Sequence, residues 1–457
     1  MKRDFFLIFV LMLLLASCGQ NTQNTETTDH AMVKLMTVDP GHFHAALVQK
    51  IMYDHVSPDV HVYAPAGPDV EQHLERIASY NNRAEGPTRW NEITYTGPDF
   101  FEKMIEDKPG NVVVLSGNNR KKAEYITKSV EAGFNVLADK PMIISPDDFP
   151  ALEEAFRVAG EKGLLLYDIM TERYEVTTIL QKLLSRNEQI FGQLQTGSEE
   201  EPAVTKESVH HFSKIVSGAP LIRPEWFFDT DQQGEGIVDV TTHLVDLVQW
   251  ECFPEQTLEK EDVNMVAARR WPTVISRQEF KDVTGFDDFP GFLQKDVKNG
   301  SLNVYSNGEM IYQLKGVWAK VSVEWRYRAP EGGGDTHYSI MRGSVCDLVI
   351  RQTEAENFQP TLYIENIKGV SVSDFSARFK EALTSFPYDD LEAENVDEKT
   401  LKVKIPDRYR VTHEEHFGQV TEKFLEYMDA GKLPDWEVPG MIAKYFTTTS
   451  ALRKALQ

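Results

Sequence analysis

Cysteine is nearly absent from this chain: three occur in 457 residues, and one of them, Cys18, belongs to the N-terminal leader. A disulfide-stapled scaffold is thereby excluded. The other two, Cys252 and Cys346, lie in apolar or strand-like surroundings (QWECF and SVCDLVI) and are expected to be buried free thiols. Basic charge is also scarce, with 48 Lys and Arg against 71 Asp and Glu and a formal net charge of -23. Polyanion binding needs a basic patch, so nucleic acid is not an expected partner. After the leader there is no second long apolar run, so the body of the chain is expected to be soluble. Self-similarity at repeat-protein periods is missing too. Finally, no G-x-G-x-x-G follows the first strand-like segment, where a phosphate-binding turn would carry it.

What is present begins with Lys2 and Arg3 ahead of FFLIFVLMLLLA, the anatomy of a signal-peptide core. Leu15-Ala16-Ser17-Cys18 resembles a bacterial lipobox, with Cys18 as the lipidated first mature residue. Residues 1–17 are then a lipoprotein signal peptide and residues 18–32, polar and without hydrophobic period, a flexible tether. This predicts a cell-envelope lipoprotein of a Gram-negative type bacterium, on the periplasmic or surface side. Its only membrane contact would be the lipid.

From Val33 the pattern alternates. VKLMTV, VHVYAP, NVVVLS, FNVLAD and GLLLYD read as short buried strands, and AEYITKSVEAG and PALEEAFRVAGEKG as helices between them. Such alternation predicts a doubly wound parallel sheet over 33–170, with its ligand crevice at the carboxyl ends of the strands. Residues 171–457 read differently. A helix, EVTTILQKLLSRN, leads into long alternating runs with Asn307-Gly308 as a hairpin signal, and two helices close the chain. An α+β domain with an open antiparallel sheet is expected.

Four constellations carry chemistry. The first is Gly41-His42-Phe43-His44, at the turn after the first strand. An H-x-H at a strand end can bind a metal, and a metal-dependent hydrolase is the rival reading. That rival would need the eight βα units of a TIM barrel, which the hairpin-rich second half does not supply, so no metal is assigned. The second is the pair of strand ends Ser116-Gly117-Asn118 and Asp139-Lys140-Pro141, where a lysine can hold an oxyanion. The third is GEGIVDVTTHLVD, read as a helix that places Asp239 and His243 at i and i+4 on one face; a His beside a carboxylate can act as a base. The fourth is Arg223 to Asp229 with Trp226, which either flanks a sugar-sized ligand or packs in the core. His210-His211 is discounted as a ligand pair because neighbours on a strand face opposite ways.

In order and spacing these pieces resemble the Gfo/Idh/MocA family of nicotinamide-dependent oxidoreductases. VVVLSGNN, VEAGFNVLADKP and GEGIVDVTTHLVD stand for the family's polar loop, E-K-P step and Gly-rich D-x-x-x-H-x-x-D segment. MTERYEVTTILQKLL and Ile190 to Gly192 fall where the family has its linker helix and next strand. The resemblance implies a Rossmann domain joined to an α+β domain, NAD or NADP as cofactor, and a carbohydrate hydroxyl as substrate. It also implies oligomers formed through the open sheet. Lys140 and His243 would be catalytic, with Asp239 orienting. Gly41, His42, Phe43, His44, Ser116, Asn118, Asp139, Lys140 and Pro141 would line the cofactor, and Arg173, Trp226 and Asp239 the substrate. The chain departs from the family at Met36 and Val38, which replace two glycines, and at Asp139, which replaces Glu. The second strand ends in Ala64-Pro65 with no ribose-binding acid, leaving NAD against NADP open. An exported member implies a tightly held nucleotide. Two further readings remain: redox-assisted glycoside cleavage, and a catalytically inactive glycan-binding lipoprotein.

Overall fold

The computed structural model describes residues 32–216 and 219–457; the leader, the tether to residue 31 and Cys18 lie outside them. Among the described residues, six strands pair in parallel in the order β3-β2-β1-β4-β5-β6. They are β1 (Leu35–Val38), β2 (Asp59–Ala64), β3 (Asn91–Thr96), β4 (Val112–Leu115), β5 (Asn135–Asp139) and β6 (Leu166–Ile169). LMTV, VVVL and LYDI are buried at every position, as expected of central parallel strands with helices on both faces. The order reverses between β1 and β4, and this opens a crevice at their carboxyl ends. This is the Rossmann sheet. The sequence reading found five of its strands and missed β3, whose NEITYT is mostly exposed at the sheet edge.

Helices α1 (His44–Leu47), α2 (Pro68–Asn82), α3 (Phe100–Asp107), α4 (Lys122–Ala132) and α5 (Phe149–Lys162) connect these strands. α1 is a single turn, shorter than AALVQKIMY suggests. The Trp90 indole donates to the Gln49 carbonyl at 2.6 Å and Arg83 to that of Lys50 at 2.7 Å. Those side chains take the carbonyls that a longer helix would use.

After α6 (Val176–Ser185) comes β7 (Val204–Ser213), then a small pair, β8 (Ile215–Val216) with β9 (Ala219–Pro220). Ile190 to Gly192, read as the next strand, is a turn, with Gly192 at φ 74°. α7 (Thr230–Gln233) and α8 (Thr241–Cys252) precede the long strands β10 (Val263–Ile275), β12 (Ser301–Leu314) and β13 (Val317–Arg328), with α9 (Arg277–Thr284) and the two-residue β11 (Val297–Lys298) between β10 and β12. β14 (Thr336–Arg342), β15 (Asp347–Arg351), β16 (Thr361–Glu365), β17 (Glu392–Asn395) and β18 (Leu401–Lys404) complete the second sheet, in the order β10-β12-β13-β7-β14-β15-β16-β18-β17, with β11 on β12. Every pair in it is antiparallel except β7 with β13. α10 (Val372–Leu383), α11 (His413–Ala430) and α12 (Glu437–Ala455) follow. Phe417 and Phe424 of α11 and Met441 and Tyr445 of α12 enter the core of the first sheet, so the end of the chain returns to its beginning. Both remaining cysteines are free, Cys346 buried and Cys252 half-buried.

Asn307-Gly308 is not a hairpin turn but the middle of β12. The β12–β13 turn lies at Lys315-Gly316, both at positive φ (49° and 82°). Asn307 instead bridges three strands. Its amide donates to Trp271 O at 3.0 Å and its oxygen accepts from Trp325 N at 2.6 Å, across an irregularity in the β10 register. Gly308 is glycine because Ile237 presses on it; a Cβ there would lie 2.5 Å from the Ile237 Cβ. At Gly236 a Cβ would lie 1.7 Å from the Ser306 carbonyl oxygen. These two contacts seat the segment carrying Asp239 and His243 directly on the sheet.

Gly236→Ala is therefore expected to destabilise by about 1–3 kcal/mol, since backbone must move to admit the methyl. Gly160→Ala, in α5 with open space around its Cβ position, is expected to stabilise by roughly 0.5–1 kcal/mol. Equilibrium denaturant unfolding of the two variants checks both signs.

Candidate functional site

The site is built where β1, β4 and β5 end. β5 delivers Asp139 at its last position and Lys140 just beyond it. Lys140 Nζ lies 2.6 Å from Asp239 Oδ1, and both side chains are largely buried. The other Asp239 oxygen accepts from Gln233 Nε2 at 3.1 Å, so α7 fixes the carboxylate that fixes the lysine. Asp239 belongs to the turn before α8 rather than to the helix, whose first residue is Thr241. The expected i, i+4 pairing with His243 is accordingly not made; Asp239 faces Lys140.

Asp139 gathers the first turn around itself. Its Oδ2 accepts from His44 Nδ1 at 2.9 Å and from Ser116 Oγ at 2.9 Å, and lies 3.7 Å from His42 Nδ1. Phe43 packs against both imidazoles, with ring centres 4.7 and 4.4 Å away. Lys122, at the start of α4, donates to the Asp139 backbone oxygen at 2.9 Å, and burial lowers its pKa to about 8. Burial alone would raise the Asp139 pKa, but His44, His42 and Lys122 hold it well below the usual carboxylate range. Burial lowers His44 despite the pull of Asp139, and burial together with His44 lowers His42 further. The arrangement is two neutral imidazoles on one carboxylate.

His243, in the first turn of α8, has its Nδ1 buried without a hydrogen-bond partner. Burial first, then the charges of Lys140 and His413, hold it neutral well below its usual pKa. A neutral imidazole with an unpaired nitrogen is able to accept a proton.

Several members of the site were not found from sequence. His413, at the start of α11, stacks near His44 with centroids 5.7 Å apart and lies 3.7 Å from Glu172. Burial, reinforced by Glu175, raises Glu172 to about 7. Asp335, just before β14, takes His210 Nδ1 at 3.1 Å, His211 Nδ1 at 3.3 Å and the ammonium of Lys214. Strand alternation does send adjacent side chains to opposite faces, but Asp335 sits beside the end of the β7–β14 ladder, where it reaches both. No short motif marks these residues. Glu172 and His413 meet because α11 folds back on the first sheet, and Asp335 meets its partners across the β7–β14 ladder.

Other expected contacts are redistributed. Asn118 donates to Gln232 of α7 at 2.7 Å. Arg173, read as a substrate residue, has its guanidinium occupied by Asp246 at 2.7 Å twice and by Glu437 at 2.8 Å. Trp226 lies over the first turn. Its Nε1 donates to Asp69 Oδ2 at 2.8 Å, and a Cβ on Gly41 would meet this pair at 2.9 and 3.0 Å. Trp226 and Asp69 border a cavity of about 270 Å³ that runs from Asp39 past Ala64 and Gly67 to Thr284. Burial and Asp69 raise Asp39 to about 6.

For a dinucleotide, these residues divide. The end near Lys140 fits, offering the unpartnered His243 nitrogen, Ser116 and a glycine, Gly117, whose missing Cβ lets its backbone approach the Asp39 carbonyl. The cavity past Ala64 offers room for a nucleoside. Between them, the Asp69–Trp226 contact lies over Gly41 and has to open for a diphosphate to reach that turn.

Comparison with known proteins gives the following. The family model described as "Putative oxidoreductase C terminal domain" matches residues 180–456. A crystal structure of a "putative oxidoreductase" from Parabacteroides merdae ATCC 43184 is 56% identical, with TM-score 0.91, over 93% of this chain and 98% of that one. Two distant structures share the fold. One is from Thermotoga maritima (12% identity, TM-score 0.58, 93% and 98% covered). The other is KijD10, a 3-ketoreductase from Actinomadura kijaniata in complex with NADP (14%, TM-score 0.53, 93% and 98%). No curated protein matches the chain.

Removing one partner from a buried ion pair strands the other, which costs about 3–5 kcal/mol. Arg173→Met is therefore expected to lose stability of that order in thermal or denaturant unfolding, as a residue that holds the fold together.

Proposed function

The chain belongs to the oxidoreductase C-terminal domain family, and from that premise we propose that it is an NAD(P)-dependent oxidoreductase acting on a sugar or polyol hydroxyl. The observation that carries the reading is the Lys140–Asp239 ion pair set near the unpartnered nitrogen of His243. His243 takes the hydroxyl proton, and the Lys140 ammonium, held in place by Asp239, donates to the developing alkoxide. The nicotinamide, when bound, supplies hydride acceptance. Ser116 and Gly117 line its side of the crevice, and burial of the imidazoles excludes water there.

The lipobox at Cys18 supports export and a lipid anchor as part of the same proposal, with a nucleotide retained through purification. The resemblance to Gfo/Idh/MocA enzymes supports association through the second sheet.

Denaturing the purified protein and identifying released small molecules by mass spectrometry is the first test. Near-stoichiometric NAD(H) or NADP(H) is expected. If none is released and added nucleotide fails to bind, the dehydrogenase reading falls and a glycan-binding lipoprotein takes its place. Given the nucleotide, Lys140→Ala and His243→Ala should each lower kcat by about 10²–10⁴-fold while sugar binding persists.

One observation favours redox-assisted glycoside cleavage as the second reading. Glu172, raised to about 7, lies 3.7 Å from the His413 imidazole. A carboxyl that keeps its proton near neutrality suits a general acid for a leaving group. The two readings differ in pH profile. His243 must be neutral to accept a proton, and its depressed pKa places the acid limb of oxidation below pH 6.5. Glu172 must be protonated to donate, so glycoside cleavage should fall above about pH 7, and Glu172→Gln should abolish cleavage while leaving oxidation.

A further inference from the structure

The first turn holds more than a modified nucleotide loop. A ring nitrogen of His42, a ring nitrogen of His44 and a carboxylate oxygen of Asp139 lie within 4.8 Å of one another. We propose that His42, His44 and Asp139 form a binding site for one first-row divalent metal ion of the zinc, cobalt or ferrous class, facing the cleft that holds Lys140.

Distance supports it. Ligand bonds of about 2.0–2.1 Å to nitrogen or oxygen put neighbouring donors roughly 2.9 Å apart in octahedral and roughly 3.4 Å apart in tetrahedral geometry. Asp139 Oδ2 is 2.9 Å from His44 Nδ1 and 3.7 Å from His42 Nδ1. An ion among the three atoms would require adjustments of tenths of an ångström at Asp139 and a modest approach of the two imidazoles.

Donor chemistry supports it as well. Two imidazoles and one carboxylate form the facial set that non-haem iron and zinc accept, whereas magnesium and calcium prefer all-oxygen cages. Binding would replace the His44 Nδ1–H···Asp139 hydrogen bond, releasing that proton to solvent, and would take the His42 Nδ1 lone pair that now faces the His44 backbone N–H at 3.4 Å. Outer contacts are in place too. Ser116 Oγ donates to the ligating carboxylate oxygen at 2.9 Å, and Phe43 and Phe417 wall the imidazoles, with Phe417 4.5 Å from the His44 ring centre.

The nearby cations disfavour added positive charge, but each is engaged by a partner of its own. Lys140 is already paired with Asp239 at 2.6 Å, and Lys122 points to the backbone oxygen of Asp139 rather than to its carboxylate. Three protein ligands leave coordination positions open, and those positions accept a substrate oxygen. The site does not depend on a bound nucleotide.

The test uses the full chain, stripped with chelator and free of added nucleotide, titrated with Co²⁺ as the probe. One equivalent should bind with visible ligand-field absorption, and Zn²⁺ should displace it. His42→Ala and Asp139→Asn should each weaken binding at least 10–100-fold, with circular dichroism confirming the fold. His413→Ala, which removes a neighbouring imidazole that is not a ligand, should leave binding intact. Should a ligand variant not fold, X-ray absorption of the Zn²⁺-loaded native protein decides: two imidazole ligands with Zn–N of about 2.0–2.1 Å are expected. No binding by the folded protein overturns the proposal and leaves His44–Asp139 as a simple hydrogen-bonded pair. Binding that is unchanged in His42→Ala and Asp139→Asn overturns it too, since the ion then sits elsewhere. Because the readout needs neither nucleotide nor turnover, its failure and that of the oxidoreductase reading are separately visible.

Discussion

The structure depends on a buried charge network that no single element could hold alone. Arg173, just after β6, reaches Asp246 of α8 and Glu437 of α12. Lys444 of α12 lies 2.8 Å from Asp246 and 2.7 Å from Asp168 of β6, and the Tyr445 hydroxyl donates to Asp168 at 2.9 Å. Two cations meet three acids, all five side chains buried or nearly so. Burial raises Glu437 toward its neutral form, while Arg173 and Lys444 hold Asp246 well below the usual carboxylate range against the burial that would raise it. Such networks add little net stability over an apolar core, but each partner strongly punishes a misplaced neighbour. The consequence is geometric. β6, α8 and α12 have one permitted arrangement, and α8 carries His243 only three residues before Asp246.

The same logic runs through the site at higher resolution. Asp239 is set by Gln233, and Lys140 by Asp239; α7, which holds Gln233, is tied to the β4 loop through Asn118 and Asn119. The segment that carries Asp239 reaches the second sheet by a different device, the missing side chains of Gly236 and Gly308. Burial then sets protonation. It keeps His42, His44 and His243 neutral, while the charges of His44, His42 and Lys122 keep Asp139 ionised against it.

Local chemistry was legible in the sequence wherever one element defines it. The buried runs LMTV, VVVL and LYDI fix a parallel sheet, and Asp139-Lys140 falls at a strand end because VLAD is hydrophobic up to its last residue. Period and polarity misled where tertiary contact overrides them. Asn307-Gly308 reads as a turn, yet Asn307 satisfies a strand irregularity and Gly308 makes room for Ile237. Arg173 looks like a free cation for a substrate because its partners are 73 and 264 residues away. Glu172, His413 and Asp335 are invisible for the same reason. Each becomes part of a site only when α11 and the second sheet close around the strand ends.

The first turn shows how a site can keep its place and change its means. In a glycine-rich version, bare backbone would meet a diphosphate; here Met36 and Val38 fill the β1 interior and Asp39 takes the left-handed conformation at φ 48°. Trp226 and Asp69 then cover Gly41, and two acids stand where negative charge would arrive. A phosphate approaching that turn meets Asp39 in a partly protonated state near pH 6, so repulsion is weaker in mild acid and stronger above neutrality. On the proposed reading, a nucleotide would draw on the ends of this crevice, the cavity past Ala64 and the Lys140 pocket, more than on the turn between them. Retention of a nucleotide would then follow from closure of Trp226 over the middle rather than from backbone contacts beneath it.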